Sequence, residues 1–230
     1  MNRIRFRNDK YQVLITPSMD FLIGRWTDPY PHNFSVEYYD TMEEAQIRSF
    51  DLPEINWVRF VEIHEQEYIR IKALIQNIIT KNRLIFDIKP LLKDPEILKN
   101  NFFDSVIRSQ NEGNDFKMKD NLYDVINIRL INPWTDNLKE MEKILSTERE
   151  LNLKGRYAVK NKIIHLRGIT NIDTPYEIQL WTPILFNWYE WKQKNIHRMN
   201  HKGISSIIMR KFDKCIQIQN LIDSSGFKIR

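Results

Sequence analysis

Three short apolar runs constrain this chain most: residues 122–131, 162–169 and 176–182. Each is rich in Ile, Val, Leu or aromatics and is bounded by Asn, Asp, Pro or Gly, so each reads as a strand. In the last run Tyr176, Ile178, Leu180 and Thr182 fall on one face, and Glu177, Gln179 and Trp181 fall on the other. His165 and Arg167 sit two positions apart on the middle run and share a face in the same way. Asp124 opens the first run and brings a second carboxylate. Two hard oxygen ligands together with phosphate oxygens are what Mg²⁺ favours. Arg129 lies an odd number of positions from Asp124, so on an unbroken strand it faces away; it reads as a structural ion-pair residue or as a sign of a bulge, not as a second catalytic group.

Helical patterns alternate with these strands. Residues 54–81 carry apolar side chains at three- and four-residue steps. Asp94-Pro95-Glu96 starts another helix, residues 137–149 read as a further one, and Thr182-Pro183 supplies a cap and a first-turn proline. A last helix runs from residue 204 to about 222, with Cys215 on its apolar face. Residues 84–88 form a brief strand candidate. The start of the chain differs: residues 11–16, 20–24 and 34–39 are strand-like, and Thr41 precedes a helix with early acids. The order implies an α/β fold, a mixed sheet flanked by helices. The expected division is a β-rich N-terminal extension over 1–50, a main domain over 51–205, and a C-terminal helix over 206–230.

A chain of 230 residues with 42% hydrophobic content supports a substantial core. The net charge of +5 permits phosphate-bearing partners without requiring them. A lone cysteine excludes an internal disulfide and fits a reducing compartment. No apolar run approaches the length of a membrane span, so the chain reads as soluble and cytoplasmic. Six glycines leave no glycine-rich phosphate loop, and the five histidines show no zinc spacing.

Several short segments resemble RelA/SpoT-type (p)ppGpp synthetases, which are nucleotide pyrophosphokinases. Asp124-Val125-Ile126-Asn127-Ile128-Arg129 is similar to that family's Asp-Ile-x-Gly-x-Arg, and Glu177-Ile178-Gln179-Leu180-Trp181-Thr182 to its Glu-Ile-Gln-[Ile/Leu]-Arg-Thr. His165-Leu166 stands where the family has the His of Gly-Tyr-Arg-Ser-x-His. Tyr189-Glu190 and the stretch from His197 to Lys202 resemble its Ala-Glu and His-x-x-x-Tyr-Lys tail. Lys93-Asp94-Pro95-Glu96 resembles its ATP-gripping segment. Together the pieces cover roughly residues 60–205.

The resemblance implies a nucleotidyltransferase-like synthetase fold and transfer of pyrophosphate from ATP to the 3′-hydroxyl of a nucleotide or RNA. It implies Mg²⁺ at Asp124 and Glu177, with Glu177 holding the metal or accepting the hydroxyl proton. Lys93, His165, Arg167 and Gln179 would then meet the nucleotide, and a homo-oligomer is compatible with this reading. The sequence also departs from the pattern. Asn127 replaces the motif glycine, Asn161 the base-stacking tyrosine, Trp181 one arginine and Leu91 another. The alternative is therefore a catalytically inactive domain of the same fold, acting as a nucleic-acid- or protein-binding scaffold.

Overall fold

The structure, a computed structural model, describes residues 3–15, 34–114, 116, 125–159, 162–170, 174–196 and 204–225. Asp124, Asn161, His197, His201 and the strand expected at 20–24 lie outside the described residues. The chain divides into two compact units. The first comprises Met1–Ile71, Leu92–Asn127 and Gly168–Tyr176, and the second Lys72–Leu91, Ile128–Arg167 and Glu177–Arg230.

In the first unit, β1 (Ile4–Arg7), β2 (Lys10–Ile15) and β3 (Ser35–Tyr39) form an antiparallel sheet in that order. Asn8 and Asp9 take the left-handed backbone that a two-residue hairpin turn demands. β1 carries Arg5 and Arg7 among its four residues, which hides it from an apolar-pattern search. Both arginines reach Asp104.

Helix α1 (Met42–Phe50) begins as its sequence indicates. Thr41 Oγ1 accepts from the Glu44 amide at 3.2 Å, and the Glu44 carboxylate accepts from the Thr41 amide at 3.1 Å. The helix expected over 54–81 is instead two. α2 (Trp57–Ile63) is capped by Asn56, whose side chain accepts from the Arg59 amide at 2.9 Å, and α3 covers Glu65–Lys81. His64 divides them. It is buried, its Nδ1 lies 2.9 Å from Thr174 Oγ1, and burial pushes its pKa down to about 4.

Helix α4 (Pro95–Asn111) starts at Asp94, whose carboxylate accepts from the amides of Glu96 and Ile97. Its Phe102 packs with Trp57 and Phe34, each at 5.5 Å between ring centroids. Leu14, Ile55, Phe60, Leu98 and Val106 complete this core. Gly168 lies so close to the buried Tyr176 ring that an added Cβ would overlap it. Burial pushes the Tyr176 hydroxyl pKa up.

The second unit is built on a five-stranded mixed sheet in the order β4 (Asp87–Leu92), β5 (Ile126–Ile131), β8 (Pro175–Trp181), β7 (Ile163–Ile169) and β6 (Leu153–Val159). β4 starts later than residues 84–88, although α3 ends at Lys81 as expected, because the chain first closes the helix end. Leu84 N–H donates to Ile79 O across Arg83, which holds φ at 53°. Pro90 is tolerated because β4 is an edge strand. β6 is the opposite edge, with Lys154-Gly155-Arg156-Tyr157 exposed, so it lacks the apolar alternation that marks the inner strands.

Helices α5 (Thr135–Thr147), α6 (Pro183–Ile196) and α7 (Ile204–Ser224) complete the unit. The first turn of α5 is held from α7, where Asp223 accepts from both the amide and the hydroxyl of Thr135. Ile131, Ile163, Trp181, Leu185, Phe186 and Phe212 form one core cluster. On the other face of the sheet Ile128, Leu130, Ile164, Leu166, Ile178 and Leu180 are buried. No helix among the described residues is long and apolar enough to cross a membrane.

Candidate functional site

β8 is the central strand, and period-two alternation places Glu177, Gln179 and Trp181 in one row on it. Trp181 Nε1 donates to Gln179 Oε1 at 3.1 Å, and Gln179 Nε2 donates to Glu177 Oε2 at 2.5 Å. The neighbouring strand β7 supplies two more partners. His165 Nδ1 lies 3.2 Å from Glu177 Oε2, and Arg167 Nε donates to Glu177 Oε1 at 3.3 Å. The sequence-derived residues His165, Arg167, Glu177 and Gln179 therefore meet at one carboxylate.

Burial alone would push the Glu177 pKa up. The hydrogen bond and charge of His165, then Gln179 and Arg167, outweigh it and hold the carboxyl below its ordinary value. Glu177 is accordingly an ionised, buried group at neutral pH, while the side chain of Arg167 remains 38% exposed.

Aromatic rings border the row. Tyr157 on β6 stands 5.9 Å from the His165 ring, and Trp181 stands 6.1 Å from it on the other side. Trp181 also packs against Tyr189 and Phe186 of α6. It occupies the place where the resemblance expects an arginine, and it contributes one N–H to the row instead of a charge. Arg129 pairs with Glu190 of α6 at 3.5 Å and lies over the Tyr189 ring.

Lys93 behaves differently from the other expected residues. It belongs to the first unit, its side chain is buried, and its backbone N–H donates to Val125 O at 3.1 Å. Asp124 lies outside the described residues. The groups that surround Glu177 are N–H donors and cations rather than oxygen ligands. Among the described residues no group of three His, Cys, Asp or Glu side chains could hold a metal ion. These residues do not by themselves fit a magnesium centre.

Sequence reasoning missed the placement of Tyr157 beside His165, because β6 was not foreseen. The exposed Tyr157 on a polar edge strand carries no signal until the pairing of β6 with β7 is known.

No family model matches the chain, and no curated protein matches it. Solved structures do match. The small alarmone synthetase 1 of Bacillus subtilis bound to AMPCPP aligns over 73% of this chain and 94% of its own, with a TM-score of 0.53 at 10% identity. The same enzyme bound to its product pppGpp gives a TM-score of 0.56 at 10% identity, over 72% of this chain and 94% of its own. A GTP pyrophosphokinase family protein from Streptococcus pneumoniae gives 0.54 at 15% identity, over 76% and 92%. The fold is that of the small alarmone synthetases. The α/β synthetase fold expected from the sequence is thereby borne out, and the chain also carries an N-terminal β-sheet.

Proposed function

We propose that this synthetase-fold chain is a divergent pyrophosphotransferase, which moves pyrophosphate from ATP to the 3′-hydroxyl of a nucleotide or RNA. The observation that carries this reading is the Glu177 carboxylate, kept ionised by His165, Gln179 and Arg167 on the central strand. An ionised carboxylate accepts a hydrogen bond from an attacking hydroxyl. With its pKa lowered, it orients that hydroxyl more than it removes the proton. Arg167, the exposed flank of the cluster, offsets phosphate charge. In the reaction the acceptor oxygen bonds to the β-phosphorus and loses its proton to solvent, the bond between that phosphorus and the oxygen bridging to the α-phosphorus breaks, and AMP leaves. The two Bacillus subtilis structures bound to AMPCPP and pppGpp support nucleotide use by this fold. Asp124 remains the proposed protein ligand for the Mg²⁺ that accompanies ATP, and Lys93 remains a proposed nucleotide contact.

A second reading, a binding scaffold of the same fold, is favoured by one observation. Trp181 and Gln179 complete the row internally and leave an aromatic where the resemblance expects a cation. One assay separates the two. Purified protein, γ-labelled ATP and Mg²⁺ are incubated with GDP, GTP, AMP, ADP or tRNA, beside Glu177→Gln and Asp124→Asn variants. Label on an acceptor that is lost in both variants supports the enzyme. Absence of transfer by folded protein to every acceptor overturns it in favour of the scaffold.

A further inference from the structure

The second unit holds a cavity of about 480 Å³ that shares no residue with the Glu177 row. It is framed by the lead-in to β4, the end of β5 and the first turns of α5 and α6. Its volume falls within the ordinary range for small-molecule sites.

The frame is preformed. Asn132 Nδ2 donates to Ile85 O at 2.8 Å, while Asn132 Oδ1 accepts from the Trp134 amide at 2.9 Å, so one carboxamide fixes two walls. Arg83 itself holds the left-handed backbone, two residues past the end of α3. Trp134 supplies a partly exposed ring, the buried Phe186 forms the floor beneath Lys89, and the carboxamides of Asn137 and Asn187 supply donors and acceptors at the lining. Two exposed cations, Arg83 and Lys89, stand at the lining against one acid, Asp87. Lys89 Nζ lies 3.8 Å from the Asp87 carboxylate and 4.6 Å from the Phe186 centroid. Rings suit a flat apolar body, carboxamides suit its polar edge, and the excess of cations suits an anion attached to it.

We propose that this cavity binds a nucleoside monophosphate, with its base against Trp134 and its phosphate at Arg83 and Lys89. The proposal goes beyond the transfer reaction and stands without it.

Titration calorimetry on the full chain tests it with AMP, GMP and UMP, beside adenosine and inorganic phosphate. At least one monophosphate binds about tenfold or more tightly than either fragment, because both halves of the site contribute. Lys89→Glu, which reverses the charge, and Asn187→Trp, which fills the space from an exposed helix position, each weaken it about tenfold. Lys139→Ala, which removes an exposed cation outside both this lining and the Glu177 row, changes it by less than about twofold. Circular dichroism confirms that each variant is folded. Adenosine or phosphate binding as tightly as every monophosphate would overturn the proposal. So would cavity variants that bind like the parent, or folded protein that binds no monophosphate.

Discussion

Tyr176, Ile178 and Leu180 on one face of β8 are fully buried, and Glu177, Gln179 and Trp181 on the other are only 5, 7 and 3% exposed. The two faces are almost equally dry and are held by opposite means. The apolar face needs only volume and shape, since burial of hydrocarbon is non-directional. The polar face must satisfy each donor and acceptor, and it does so through a line of hydrogen bonds from Trp181 to Gln179 to Glu177, closed by His165 and Arg167. Replacing such a buried network by apolar residues is often neutral or stabilising. An apolar row could fill the same volume, which is the structural ground for the chemical role proposed for Glu177.

Leu180→Ala breaks the comparison most severely. It removes a fully buried side chain beside other strands and costs about 2–5 kcal/mol in urea unfolding. Glu177→Gln keeps the shape of the row and costs clearly less. Equal losses would mean that the two faces are not held differently. Gly168→Ala comes next: its methyl meets the Tyr176 ring at the edge of the apolar face, for about 1–3 kcal/mol of overpacking. Gln179→Leu leaves Trp181 Nε1 without its acceptor and Glu177 without one donor. It costs about 1–3 kcal/mol, measured by thermal unfolding.

The smallest effect is a pH slope. The folded-state pKa of Glu177 lies below its ordinary value of 4.5, so its ionised form stabilises the fold at neutral pH. That contribution is present above the ordinary value and is lost as pH falls through the folded value. Unfolding measured down the acid limb should fall less steeply for Glu177→Gln than for the parent.

Much of this was legible in the sequence. Alternation along 176–182 and the His165–Arg167 spacing placed the three residues that meet at Glu177, because the strand period fixes the face without any tertiary knowledge. The caps at Thr41 and Asp94 were equally local. What failed depended on partners distant in the chain. His64, where the helix divides, meets Thr174, and the start of α5 is completed by Asp223. Thr182 shows the same limit. Thr182-Pro183 marks the start of α6, yet the Thr182 hydroxyl is buried without a partner among the described residues. Edge strands β1 and β6 escaped because exposed polar residues on an edge erase the pattern that an inner strand must keep.

The most direct test of the account is calorimetric titration of AMPCPP, with Mg²⁺, into the parent protein and into Arg167→Ala. The account predicts saturable binding that weakens about tenfold or more when the exposed cation beside Glu177 is removed, with the unfolding temperature little changed. Parent protein that is folded and gives no heat, or an Arg167→Ala variant that binds as the parent does, would contradict it.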